Sequence, residues 1–239
     1  MPVITLANTK GGAGKTTAAL LLATEYARQG YKVAILDADP QKWITAWYEA
    51  GDKVANLEVI SEINATSLQT HVREMKATTD FFIIDLAGAR DALLATAIGL
   101  SDHVLIPVQG CAMDARGAAQ VLELLNQLES QCGIRVSHSV VLTRVSSMVT
   151  TRALSAVKTL LEARGVHVLS TPINERSAYR DVFESGATLY NSDPAKTSNL
   201  DRAKENARAF AQELKALLPR SSRNVSRSKI PLWRRNRAA

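Results

Sequence analysis

Cysteine is scarce in this 239-residue chain, and its two members, Cys111 and Cys132, lack metal-ligand spacing, so they read as buried or idle thiols of a reducing cytoplasm. Long apolar runs are missing too. Nothing longer than Ala18 to Ala23 is free of polar residues, which excludes a helical transmembrane span. The first residues pass straight into an apolar stretch without a basic region ahead of it, so no export signal is expected. Acid is absent from the last 21 residues, which carry Arg220, Arg223, Arg227, Lys229, Arg234, Arg235 and Arg237. Those seven charges exceed the net +6 of the whole chain and leave residues 1–218 at −1. The basic character therefore sits in an appendage on a nearly neutral body.

What remains is an ordinary core-forming sequence. A hydrophobic content of 46% over this length suits one α/β unit, expected over residues 1–218, followed by a basic segment, 219–239, that lacks the apolar periodicity to fold alone. Short apolar runs are expected as strands at Val3–Ala7, Tyr31–Leu36, Leu57–Ile60, Phe81–Asp85, Ser101–Val108, Val136–Leu142 and Val166–Leu169. Helical patterns lie between them, including Gln41–Glu49, Ser67–Ala77, a long one from Asp114 to about Ser130, and Thr197–Leu218. Trp43 and Trp47, at helical spacing, read as packing residues rather than as a base-stacking platform. His103 reads as a strand residue.

One stretch carries the chemistry. Thr9-Lys10-Gly11-Gly12-Ala13-Gly14-Lys15-Thr16-Thr17 follows the first apolar run and opens an alanine-rich helical segment. Glycines let successive backbone N–H groups point into one hollow, and the positive end of the following helix adds to it. In that context Lys15 is a point charge for β/γ-phosphates, Thr16 offers a hydroxyl to Mg²⁺, and Thr17 reaches toward an α-phosphate.

Two apolar runs end in carboxylates. The second leads into Asp37-Ala38-Asp39-Pro40-Gln41, and the fourth ends at Asp85, followed by Leu86-Ala87-Gly88. Buried parallel strands gather ligands at their carboxyl ends, and clustered carboxylates there need a cation, which Mg²⁺ and Lys15 would supply. Asp85 has the form of a strand-end carboxylate holding Mg²⁺ through water, with Gly88 letting the backbone approach the γ-phosphate. Asp39 could equally cap a helix begun by Pro40.

Lys10-Gly-Gly-Ala-Gly-Lys15-Thr-Thr has Thr9 where the standard phosphate-loop pattern has glycine, and a second lysine at Lys10. With Asp-x-Asp-Pro-Gln at residues 37–41, Asp-x-x-Gly at 85–88 and Ser101-Asp-His-Val-Leu-Ile-Pro-Val108, the chain resembles the ParA/MinD family of deviant Walker A P-loop ATPases over residues 2–218. The resemblance implies a doubly wound, mostly parallel sheet flanked by helices, with ATP and Mg²⁺ at the strand ends. It implies that Lys10 reaches a partner subunit's nucleotide, that Asp39 orients or activates the attacking water, and that Asp37 contacts the metal through water. It also implies a base pocket at Arg144, Pro172 and Asn174. Arg180-Asp-Val-Phe-Glu-Ser-Gly186 continues the likeness, with Gly186 suited to end a helix. The chain departs from the family at Gln109-Gly110-Cys111, where relatives often carry Pro-Ser at the dimer face. The cysteine pair that bridges subunits in iron–sulfur relatives is not matched by other ligands here.

The likeness is to short plasmid-type ParA proteins, the ParF-like group and the VirC1 proteins of conjugative transfer, with no helix-turn-helix ahead of the loop. It implies a slow ATPase that dimerises on ATP, binds DNA non-specifically on the nucleoid, and is stimulated by a centromere-binding ParB-like partner. Arg180, Lys196, Arg202, Lys204, Arg208 and Lys215 would contribute a basic surface, although each alone also reads as a solvated ion-pair position. Ile230, Leu232 and Trp233 leave a MinD-like membrane anchor open, ranked below DNA. A metabolic ligase of the superfamily would need an additional substrate domain.

Overall fold

The computed structural model describes residues 1–88, 91–109, 112–146 and 152–219, and the backbone alone at 112–115 and 153. Seven strands are present among them: β1 (Val3–Leu6), β2 (Val33–Ala38), β3 (Leu57–Ile60), β4 (Phe81–Leu86), β5 (His103–Gln109), β6 (Ser137–Val145) and β7 (Ile173–Asn174). Eight helices alternate with them: α1 (Lys15–Arg28), α2 (Trp43–Ala50), α3 (Ala65–Met75), α4 (Ala92–Leu100), α5 (Ala112–Cys132), α6 (Arg152–Ala163), α7 (Ser177–Ser185) and α8 (Leu200–Leu217).

The strands form one sheet in the order β3-β2-β4-β1-β5-β6-β7, every pair parallel. Parallel strands need crossovers, and helices on both faces bury both sides of each strand. That explains why β1, β2 and β4 are apolar without alternation and buried throughout. Period-two geometry then divides them: Val33 and Ile35 face a core shared with α1, α2, α7 and α8, while Ala34 and Leu36 face one shared with α3 to α6. From β1 the chain crosses over β4 to reach β2, while β5 lies on β1's other side, so the order reverses at the carboxyl end of β1. Ligand crevices form at such a reversal.

Several expected boundaries shift. β2 runs on to Ala38, so Asp37 lies within the strand rather than after it. Val166–Leu169 is not a strand. Only Val168 bridges to Val140, and the seventh strand is the two-residue Ile173–Asn174. Helix α2 starts at Trp43, not Gln41, because Lys42 takes a left-handed conformation at its head. Trp47 is core, its indole N–H donating to the Ala187 carbonyl at 2.7 Å, whereas Trp43 is 60% exposed and does not pack as expected. His103 opens β5 and is buried, Gly186 ends α7 with φ 65°, and Cys132 is an exposed free thiol. Gly110, Cys111 and the basic segment from Arg220 onward lie outside the described residues.

Candidate nucleotide site

The loop between β1 and α1 is clamped by residues distant in sequence. Asn8 is buried, donates through Nδ2 to the Pro107 carbonyl at 2.7 Å, and accepts the Lys10 N–H at 2.9 Å. Thr9 donates its hydroxyl to Gln120 Oε1 at 2.5 Å. The Gln109 amide donates to the Gly12 carbonyl, and the Thr143 hydroxyl to the Ala13 carbonyl at 2.8 Å. Gly12 (φ 76°) and Gly14 (φ 94°) supply the left-handed turns, and Gly14 heads α1. With those carbonyls turned into the protein, the backbone N–H groups of Gly11 through Gly14 donate to nothing among the described residues. They and the α1 terminus make a hollow for an anion.

Lys15 is buried at the first position of α1, and its ammonium donates to the carbonyls of Asn8 (3.2 Å) and Lys10 (3.3 Å). Burial draws its pKa below the usual lysine value, while Asp85 and Asp39 hold it up. A buried ammonium satisfied only by carbonyls gains most from an anion beside it. Gly88 lies against the same loop. A Cβ there would stand 2.7 Å from the Gly11 nitrogen, so only glycine permits this approach.

The carboxylates of β2 and β4 come together beside Lys15. Asp37 and Asp85 are register partners on adjacent parallel strands, and both are fully buried. Asp37 Oδ2 accepts the Thr45 N–H at 2.9 Å and the Thr45 hydroxyl at 2.6 Å, but its Oδ1 has no partner. Neither oxygen of Asp85 has one of good geometry among the described residues, although the Thr16 hydroxyl stands close enough to act on it. Burial pushes the Asp85 carboxyl up to about 7, with Asp37 and Asp39 adding to the rise and Thr16 and Lys15 opposing it. Asp39 is half-buried; its side chain accepts the Gln41 N–H at 2.9 Å in a tight turn and caps no helix.

Three orphaned buried carboxylate oxygens beside a threonine hydroxyl form a hard-oxygen set suited to Mg²⁺ with retained water. No cluster of three His, Cys, Asp or Glu side chains able to hold a metal occurs among the described residues, so the two buried carboxylates and the Thr16 hydroxyl would leave most of the metal's ligands to phosphate and water.

Two adjoining hollows make up the cleft. One, of about 410 Å³, is lined by Gly11, Gly12, Lys15, Thr16, Asp39 and Trp43. The other, of about 310 Å³, is lined by Thr143, Asn174, Glu175, Arg176, Tyr179 and Arg180. Gly14, Thr17, Arg144 and Phe183 border both. Arg144 is the extra residue where the β6–β7 register shifts, and its φ of 52° is unusual for a side chain of its size. Pro172 is not among the lining residues; its carbonyl accepts from Asn206 Nδ2 at 2.8 Å. Asn8 and Thr143 escape sequence reading because their partners lie 99 and 130 residues away, and Thr45 because nothing in its local pattern marks its bond to Asp37. Asn8, adjoining the glycine loop, had the most visible signal.

Known proteins share the sequence and the fold. A model of the VirC1 protein family matches residues 1–220. The chain belongs to the VirC1 family. This VirC1-family chain is 36% identical over 214 residues to Protein ParA of Rhizobium radiobacter, covering 90% of itself and 96% of that protein. Its fold is similar to that of the MinC:MinD cell division protein complex of Aquifex aeolicus, with a TM-score of 0.72 at 20% identity, covering 93% of this chain and 99% of that one. A putative plasmid partition protein of Borrelia burgdorferi bound to AMPPNP is also similar, with a TM-score of 0.65 at 23% identity, covering 89% and 99%. The doubly wound P-loop NTPase fold of the ParA/MinD group is thus the architecture of this VirC1-family protein.

Proposed function

We propose that this VirC1-family protein is a DNA-segregation ATPase that works as an ATP-driven dimerisation switch. The observation that carries the reading is the meeting of the unpaired N–H groups of Gly11 to Gly14, the buried Lys15 ammonium and the orphaned oxygens of Asp37 and Asp85 at one end of a two-part cleft. An anion and a hard divalent cation together satisfy all of them. A nucleoside triphosphate with Mg²⁺ is that combination, and the 36% identical ParA supports partition as the setting.

In this reading Thr16, Asp85 and Asp37 would hold Mg²⁺, and Gly11 to Thr17 would bind the phosphates. Arg144 and Asn174 border the base, whereas Pro172, expected beside them, stands behind Asn174 with its carbonyl on Asn206. Mg²⁺ would supply neutralisation of the phosphate charge. Lys10 of each subunit neutralises phosphate charge on the other, so ATP holds the dimer together. Asp39, at the rim of the phosphate hollow, orients the attacking water. Loss of the γ-phosphate removes the ligand that Lys10 and Gly88 sense, and the subunits part. The dimer joins Arg180, Lys196, Arg202, Lys204, Arg208 and Lys215 of the two subunits into a basic surface for the nucleoid. Phosphate contacts there require no base readout. Turnover is slow until a centromere-binding partner accelerates it.

The test is sizing, ATP turnover and co-sedimentation with DNA or liposomes, each with ATP and with ADP. ATP-dependent dimers that pellet with DNA are expected, and Lys10→Ala or Lys10→Gln should abolish ATP-dependent pairing. Pairing and cleavage at the parental rate in those variants overturns the switch. Lipid pelleting instead of DNA pelleting points to a membrane-positioning ATPase.

A further inference from the structure

The base side of the cleft is built on very little strand. β7 comprises only Ile173 and Asn174, and its pairing to β6 passes through the register shift at Arg144. Two residues with an interrupted ladder cannot fix a loop to the fraction of an ångström that base recognition needs. The segment is instead fastened from behind by α8.

One α8 side chain brackets β7. Asn206 donates through Nδ2 to the Pro172 carbonyl (2.8 Å), and its Oδ1 accepts the Asn174 N–H (3.0 Å) and the Tyr179 hydroxyl (2.9 Å). Burial pushes Tyr179 up to about 12, opposed by Arg176, so its hydroxyl stays a donor. Two helical turns on, Glu213 accepts the Ser170 N–H (2.7 Å), the Ser170 hydroxyl (2.6 Å) and the Thr171 N–H (2.8 Å). Seven residues apart, the two side chains share a face of α8 and hold the segment at four residues, Ser170, Thr171, Pro172 and Asn174. Asn174 and Tyr179 line the cleft directly; Asn206 and Glu213 do not.

We infer that Asn206 is the positioning residue of the base side of the cleft, setting nucleotide selectivity from α8 without touching the nucleotide. The inference rests on the nucleotide reading above. An amide suits the place because it donates and accepts at once, matching a carbonyl and an N–H two residues apart. Aspartate keeps the acceptor but sets a carboxylate against the Pro172 carbonyl, and alanine removes the partner of the Pro172 carbonyl and of the Asn174 N–H, while the Tyr179 hydroxyl keeps the Ala203 carbonyl at 3.4 Å. The phosphate hollow has its own clamps, so phosphate affinity should not follow.

The experiment measures binding of Mg²⁺ with ATP, GTP and inorganic tripolyphosphate to the full chain, as wild type, Asn206→Ala and Asn206→Asp. In the wild type, ATP is expected to bind more tightly than tripolyphosphate and GTP. In both variants that advantage should fall about tenfold while tripolyphosphate binding stays at the parental level. If Asn206→Ala does not fold, the near-isosteric Asn206→Asp decides. Unchanged selectivity in a folded variant overturns the positioning role while leaving the nucleotide reading intact. Equal loss for ATP and tripolyphosphate also overturns it, since a general structural defect weakens both. A wild type that binds tripolyphosphate as tightly as ATP overturns the base cleft itself, and the positioning role with it.

Discussion

Asp37 and Asp85 stand side by side on adjacent parallel strands in direct register, both buried, with three of their four oxygens lacking a hydrogen-bond partner of good geometry among the described residues. Unpaired buried carboxylates work against stability, and nothing in the packing of β2 against β4 requires them. Leucine or valine at either position would continue the apolar strand. The pair is intelligible as a site whose counter-charge arrives with a ligand, and Lys15 is the part of that charge already present.

This arrangement has a signature in pH. Asp85 keeps its proton to about 7 in the fold but to about 3.8 when unfolded, so stability without ligand falls as pH rises through that window. His103 acts oppositely. Burial lowers it from 6.5 to about 4, with His138 and His167 adding to the effect, so stability rises with pH between those values. The two slopes oppose each other in the parent. Asp85→Asn should expose the His103 slope, with stability climbing by a few kcal/mol from about pH 4 to 6.5, and His103→Gln should expose the falling one. Urea denaturation across pH reads both, and a flat profile in Asp85→Asn would refute the assignment. Saturating Mg²⁺ and ATP should reverse the Asp85 slope.

Thr45→Val keeps the volume and the backbone N–H but removes the hydroxyl that donates to Asp37 Oδ2 at 2.6 Å. A buried carboxylate thereby loses one of its two donors, at a cost of about 1–3 kcal/mol. With less holding Oδ2 toward α2, affinity for Mg²⁺ should also change. Thermal melts with and without Mg²⁺ separate the two effects, and an unchanged melting temperature in both would sink the link.

Much of this site was legible in the sequence, because its main parts are local. The glycines, Lys15 and Thr16 lie on one loop, and Asp37 and Asp85 each end an apolar run. Period and composition place such residues at strand ends without knowledge of what lies beside them. What could not be read depends on distance along the chain. Asn8 meets Pro107, and Thr143 meets Ala13, across 99 and 130 residues. Trp43 and Trp47 share one helical pattern, yet only Trp47 faces the core, because Lys42 starts α2 later than the apolar spacing suggests. Val166–Leu169 has the composition of a strand but pairs at one residue, since β6 offers its edge to Ile173 and Asn174 as well.

Gly88→Ala tests the approach of β4's end to the phosphate loop. The added methyl would lie 2.7 Å from the Gly11 nitrogen and 2.9 Å from the Lys10 carbonyl carbon, both backbone atoms that cannot swing aside. The loop must shift, closing the hollow lined by Gly11 and Gly88. Affinity for Mg²⁺-ATP and for tripolyphosphate should fall together, by about tenfold or more, with the melting temperature of the ligand-free protein little changed. Parental affinity for both would show that the loop has slack here.

Gly117→Ala probes the same loop from the opposite side. A Cβ on α5 would come within 2.1 Å of Asn8 Oδ1 and 3.0 Å of Lys10 Cβ. Asn8 cannot yield freely, being pinned by the Pro107 carbonyl and the Lys10 N–H, so either α5 moves outward or both hydrogen bonds break. In an ordinary helix interior, alanine in place of glycine stabilises by about 0.5–1 kcal/mol. Here the clash outweighs that gain, and a net loss of about 1–3 kcal/mol is expected. Because Lys10 rides on the displaced segment, ATP-dependent pairing should weaken more than ATP binding does. Sizing and binding measured on one preparation give the ratio, and equal losses in the two would place Lys10 outside the pairing step.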